Sequence, residues 1–161
     1  MVILVMFICY FTKFKGGIEM DFGDCIKFIT ENQVTCTLCT IDGDQPRGRG
    51  MVPLWVKEDG IYFTTASSKN LYSQLLTNSN VELCFIMLQP IKHLRITGRV
   101  EFVEDIILKN KALDERPFLK ALGINTADDP NFILFRVSNG EGHFWTWEDN
   151  LKEADIPRIR F

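Results

Sequence analysis

Two short segments concentrate the groups that bind anions. In Thr64-Thr65-Ala66-Ser67-Ser68-Lys69, hydroxyls and then a lysine stand where an apolar run ends and a helical pattern starts. The first N–H groups of a helix have no partner inside it and lie at the positive end of its dipole. With hydroxyls and an ammonium beside them, they suit a phosphate. A serine N-cap with a solvated lysine accounts for the same residues. The second segment is Arg47-Gly48-Arg49-Gly50-Met51. On an extended chain its two arginines share one face, and Arg49 can grip a phosphate through two N–H groups. Gly48 and Gly50 leave the backbone open to a close ligand. A pair of solvent-facing arginines on an exposed strand is the alternative.

Two further stretches carry polar or aromatic faces. His93, Arg95, Thr97 and Arg99 alternate with apolar residues, as on a wetted strand or a ligand-facing one. His143, Trp145 and Trp147 fall on one face of another run; their flat rings suit a planar ligand, a core or a subunit contact. No nucleophile–base constellation accompanies them. The chain has no Gly-x-Ser-x-Gly, Walker A or Gly-x-Gly-x-x-Gly signature, and two histidines are too few for a His-rich metal centre. Any reactivity is therefore expected to come from a cofactor. Cys36 and Cys39 form a C-x-x-C, but in a strand-like run residues three apart point to opposite faces and cannot share a metal. No metal site is expected. The five cysteines read as reduced thiols in a reducing compartment, hence a cytoplasmic protein.

The elements that must position these groups follow from periodicity. Asp21–Asn32 reads as an amphipathic helix and Val34–Ile41 as a strand, with Asp42-Gly43-Asp44 as a hairpin turn. The return strand 46–56 is interrupted at Pro53 and is expected to pair with Ile61–Thr65 across Glu58-Asp59-Gly60. A helix over Lys69–Thr77 follows, N-capped from Ala66-Ser67-Ser68, with Leu71, Tyr72, Leu75 and Leu76 as its buried stripe. Val81–Leu88 and His93–Val103 are strands, and Asp105–Leu122 is helical with a break at Pro117. Phe132–Ser138 and Gly142–Trp147 read as a closing hairpin around Asn139-Gly140. Six to seven antiparallel strands with two or three peripheral helices predict a mainly β, Greek-key-like barrel. The 161 residues suffice for one domain, and no repeat or linker divides it.

The N-terminus stands apart. Met1–Phe11 holds no charge, yet is too short to span a bilayer and lacks a signal-peptide layout, so no membrane association is expected. Gly16-Gly17 is compatible with a GGNGGN ribosome-binding-like run upstream of Met20. Residues 1–19 are thus expected to be a non-native or flexible extension, with 20–161 the domain; an apolar arm packing in a dimer is the alternative.

Taken in order, four segments resemble the pyridoxamine 5′-phosphate oxidase-related family with its FMN-binding split β-barrel. They are Leu38–Met51, Gly60–Lys69, Asn78–Leu83 and Leu94–Val100, within a match covering about Met20 to Trp147. The resemblance implies a homodimer binding FMN at the subunit interface. It also implies that Arg49, Lys69 and the hydroxyls of Thr64, Thr65, Ser67 and Ser68 hold the phosphate. The backbone of Gly50, Met51 and Val52 would face the isoalloxazine edge, with His93 and Trp145 as further flavin contacts. The implied chemistry is hydride transfer at flavin N5, that is, a flavin-dependent oxidoreductase. Two departures argue against pyridoxamine phosphate as substrate. The family's lysine five residues beyond the gripping arginine is Leu54 here, and the C-terminal Ile156-Pro-Arg-Ile-Arg-Phe161 lacks the family's histidine. The chain looks more like short bacterial members, some of which resemble nitroimidazole-resistance proteins.

A non-catalytic flavin or haem-type ligand carrier or sensor on the same barrel uses the same phosphate corner. A nucleic-acid-binding barrel using Arg47, Arg49, Lys92, Arg95 and Arg99 is disfavoured by the net charge of −3 and the lack of an aromatic stacking ladder.

Overall fold

The computed structural model describes residues 20–161, so the readings for residues 1–19 lie outside the described residues. Helix α1 spans Phe22–Asn32 and starts on a reciprocal cap, in which the side chains of Asp21 and Asp24 each accept the other's backbone N–H. It buries Phe22, Cys25, Phe28 and Ile29. Strands β1 (Cys36–Asp42) and β2 (Gln45–Met51) form a hairpin around Gly43, whose φ of 64° suits glycine. The chain continues as β3 (Trp55–Lys57), β4 (Gly60–Ala66), α2 (Asn70–Thr77), β5 (Asn80–Leu88) and β6 (Ile91–Phe102). Then come α3 (Ile106–Glu115), α4 (Phe118–Ala121), β7 (Phe132–Thr146) and β8 (Ile159–Arg160).

The eight strands form one antiparallel sheet in the order β2-β1-β5-β6-β7-β4-β3, with β8 on β7. β3 and β8, of three and two residues, are too short to leave a periodic signal, while the strands expected at 132–138 and 142–147 are one continuous β7. β2 runs against β1, as the hairpin signal at 42–44 implies, but the expected pairing of the Arg47–Met51 segment with Ile61–Thr65 does not occur: it is β3 that pairs with β4 across the 58–60 turn. Pro53 ends the return strand, because a proline cannot donate to a ladder. β2 and β3 thus stand at opposite ends of the sheet although only residues 52–54 separate them in sequence. Four Cα steps reach at most about 14 Å. The sheet must curl until its two ends approach, and the result is a split barrel.

Asn139-Gly140 is not a hairpin turn either. β7, of 15 residues, runs straight through it beside the 12-residue β6, and the register shifts between Thr97 and Arg99. The positive φ of Asn139 (50°) serves a bulge here. The two backbones come so close that a Cβ on Gly140 would sit 1.9 Å from the Thr97 carbonyl oxygen.

Inside the barrel, Leu38, Phe63, Leu83, Phe85, Leu94 and Ile96 are fully buried. A second cluster, outside β4 and β7 under α3 and α4, contains Tyr62, Leu113, Leu119, Phe132 and Leu134. Alternation along β4 therefore sends Phe63 and Thr65 toward the barrel and Tyr62 and Thr64 toward α3–α4.

Candidate functional site

Where the sheet ends approach, β2 faces the end of β4 and the start of α2 across a cavity of about 750 Å³. Seven of the expected residues line it: Arg49, Gly50 and Met51 on one side, Thr64, Thr65, Ser68 and Lys69 on the other. Two segments some fifteen residues apart, in strands that share no hydrogen bond, thus converge on one space. The position where Gly50 would carry a Cβ is open.

Arg49 is half-buried and held by two neutral acceptors. Its Nη1 donates to Thr40 Oγ1 at 3.1 Å and its Nη2 to Gln74 Oε1 at 2.7 Å, while the Thr40 hydroxyl donates to the same Gln74 oxygen at 2.7 Å. Among the described residues, no carboxylate lies within ion-pair distance of it; Asp42 pairs with Arg47 instead, at 3.3 Å. Burial, with Arg47 adding to it, lowers the Arg49 pKa from its ordinary value, although the guanidinium stays protonated. Across the cavity, Thr65 is 6 % exposed and its Oγ1 is buried with no hydrogen-bond partner. An unpartnered buried hydroxyl costs about 1–3 kcal/mol, so this one suits a ligand acceptor or donor.

The start of α2 differs from expectation. Lys69 takes the N-cap position with no side-chain cap bond, and Ser67 instead donates to Asn131 Oδ1 at 3.0 Å. Serine at 67 or 68 is a step too early, because the helix begins at Asn70. The first turn is left uncapped beside the cavity. The buried stripe is Leu71, Gln74 and Leu75, whereas Leu76 is exposed. Thr64, Thr65, Ser68 and Lys69 also border a smaller space of about 330 Å³ walled by Phe118, Leu119 and Leu122 of the α4 region.

Besides Ser67, three expected residues lie outside the cavity. Val52 is exposed beyond β2. His93 and Trp145 are cross-strand neighbours, and their rings stack with centroids 4.9 Å apart. They share the outer face of β5–β7 with exposed Ile86, not the cavity of Arg49. Trp147 has left the strand for a single 3-10 turn. Cys36 is buried and Cys39 partly exposed, on opposite faces of β1. Burial, with Cys84 and Cys39 nearby, pushes the Cys36 thiol up to about 12, so it offers no thiolate. No group of three His, Cys, Asp or Glu suited to a metal occurs among the described residues.

The model of the family described as pyridoxamine 5′-phosphate oxidase matches residues 23–146, most of the chain. The chain belongs to that family. Solved structures agree on the fold. A NimC/NimA family protein of Clostridium acetobutylicum is 25 % identical, with a TM-score of 0.67 over 85 % of this chain and 91 % of that one. General stress protein 26 of Bacillus anthracis is 21 % identical, with a TM-score of 0.65 over 88 % and 100 %. A pyridoxamine 5′-phosphate oxidase-related, FMN binding protein of Nostoc punctiforme is 14 % identical, with a TM-score of 0.57 over 80 % and 85 %. No curated protein sequence matches the chain significantly.

In this pyridoxamine 5′-phosphate oxidase family member, Leu54 packs against the cluster under α3–α4, and its N–H donates to the Tyr62 carbonyl. It presents no cation at that position. Arg116, which sequence reasoning missed, donates to the carbonyls of Pro53 at 2.8 Å and Val52 at 3.4 Å. Gln74 and Thr40 were also missed. The available signal was a polar residue at i+3 from Leu71 and another two beyond Leu38, both on core faces. No helix among the described residues is long and apolar enough to cross a membrane.

Proposed function

We propose that the protein binds FMN in the cavity between β2 and the β4–α2 junction and works as a flavin-dependent oxidoreductase. The observation that carries this reading is the convergence on one cavity of an uncompensated guanidinium (Arg49), an ammonium (Lys69) and a buried hydroxyl without a partner (Thr65). That set fits a phosphate monoester, which brings negative charge and several acceptor oxygens. Ser68 and the first N–H groups of α2 add donors. Gly50 and Met51 leave room for a flat ring along β2. Bound FMN would supply hydride transfer at N5; the protein's part is to hold the phosphate and to orient and cover the ring.

His93 and Trp145 then serve a second subunit. They lie on the outer face, near the exposed Ile86, Leu88 and Ile91 at the β5–β6 end. In a homodimer with FMN at the interface, this stacked pair covers the partner's ring. Leu54 in place of a lysine supports a substrate other than pyridoxamine phosphate. The described cysteines are all free thiols, which supports a reducing, cytoplasmic setting.

The test is purification followed by an absorbance spectrum and an FMN titration, with the mass in solution measured in parallel. Flavin bands or a saturable titration, with a dimer's mass, are expected. A protein that takes up no FMN overturns the reading. Reduction of the bound flavin by NADH or NADPH, then reoxidation by a quinone or nitro compound, is expected of an oxidoreductase; flavin that no donor reduces points to a carrier.

A further inference from the structure

Arg49 approaches the cavity from an edge strand, where a long side chain has many rotamers. Its guanidinium is nevertheless fixed in a triangle with Thr40 on β1 and Gln74 on α2, whose edges are 3.1, 2.7 and 2.7 Å. Both partners are more than nine-tenths buried, at 2 % and 6 % exposure. Neither residue is explained by the fold alone, since each puts a polar group on a face otherwise occupied by Cys36 and Leu38, or by Leu71 and Leu75. The chemistry of the pair is specific. Both acceptors are neutral, so they fix direction without cancelling charge. A carboxylate at either position would grip the guanidinium as well, but would neutralise it before a ligand arrived.

We infer that Gln74 and Thr40 are positioning residues, an uncharged clamp that aims the Arg49 guanidinium into the cavity and reserves its positive charge for the ligand's anionic headgroup. This rests on the flavin reading for the identity of the ligand, not for the clamp. The clamp makes the site selective for a phosphorylated ligand over the same ring system without phosphate. A preorganised guanidinium loses less rotamer entropy when the anion binds, and its benefit is confined to ligands that carry one.

The test compares FMN with riboflavin, which differ by the phosphate alone, in wild type, Gln74→Leu, Gln74→Glu and Thr40→Val. Gln74→Leu is expected to weaken FMN by about tenfold and leave riboflavin within about twofold. Gln74→Glu, nearly isosteric, is expected to weaken FMN further and to flatten its salt dependence, because the new carboxylate competes with the phosphate. Thr40→Val is expected to act in the same sense and less strongly; Ser73→Ala, on the exposed side of α2, is expected to change neither affinity. Equal losses of FMN and riboflavin, or an unchanged FMN affinity in both Gln74 variants, overturn the clamp. If wild type takes up neither flavin, the flavin reading fails and the clamp is judged by NMR of the Arg49 guanidinium, assigned by its loss in Arg49→Lys. Resolved Nη signals in wild type that merge in Gln74→Leu support it, and signals already merged in wild type overturn it. Should one Gln74 variant not fold, the other and Thr40→Val decide by the same comparison.

Discussion

Two arginines on this barrel meet opposite fates. Arg136 on β7 is saturated with carboxylate. Its Nε and Nη2 both donate to Glu101 Oε2, at 3.1 and 2.8 Å, and its Nη1 donates to Asp59 at 2.8 Å. The other Glu101 oxygen accepts from Ser138 and Asn139, at 2.7 and 2.8 Å, and the Tyr62 hydroxyl donates to Asp59. The hydrogen bond to Glu101 raises the Arg136 pKa well above its ordinary value. Arg49 is held just as firmly, but by an amide oxygen and a hydroxyl. A compensated charge ties β4, β6 and β7 together; an uncompensated one is left open for something that arrives later. Charge balance therefore separates the structural Arg136 from Arg49, the arginine proposed to bind, where residue type does not.

That comparison can be broken or sharpened in steps of decreasing size. Gly140→Ala should destabilise by about 3 kcal/mol or more in urea denaturation, because the new methyl displaces the bulge that presents Ser138 and Asn139 to Glu101. Arg49→Ala or Lys69→Ala should each weaken FMN binding by about 1–3 kcal/mol, while shifting folding stability by less than about 1 kcal/mol. Arg136→Ala should do the reverse, costing about 1–2 kcal/mol of stability with FMN affinity unchanged. If both variants lose stability alike, the distinction collapses.

A pH series sharpens it further. Hydrogen bonds from Ser138 and then Arg136 hold the Glu101 carboxyl below its ordinary value. Burial opposes the same shift at Asp59, but the bonds from Tyr62 and Arg136 outweigh it. Folded pKa values below unfolded ones mean a stabilisation that is present above about pH 4.5 and is lost as the pH falls through the folded values. Denaturation midpoints should fall on acidification in wild type, and the fall should be smaller in Arg136→Ala. The smallest effect concerns His143. Burial, reinforced by Arg158 and Arg95, lowers its pKa, and its Nε2 lies 3.8 Å from Glu153. NMR titration should place it below the ordinary imidazole value, with a matching small loss of stability as the pH drops through that region.

How much of this was legible in the sequence follows from the range of the interactions. Alternation in Leu94–Phe102 and helical spacing in Phe22–Ile29 are local, and both elements lie where the spacing puts them. The residues proposed to bind an anion were legible as a cluster, because arginine, lysine and hydroxyls stand beside glycines and a helix start, and seven of the expected residues border one cavity. Strand partners were not legible. Turn residues at 58–60 fix that a hairpin forms, but Pro53 decides which strand forms it. Asn139-Gly140 specifies a positive φ, which a turn and a bulge both use. Gln74 escaped notice because its partners, Thr40 on β1 and Arg49 on β2, are distant in sequence, a relation no spacing encodes.

The three-residue link between β2 and β3 has one more consequence. Among the described residues, β2 pairs only with β1, so no ladder laces the two rims of the barrel where the cavity opens. The gap is spanned covalently by Val52-Pro53-Leu54, with the Arg116 fork tethering two of its carbonyls to the end of α3. With no backbone rung between β2 and β3, the two rims are held together there by this strap and the Arg116 bonds rather than by a strand ladder.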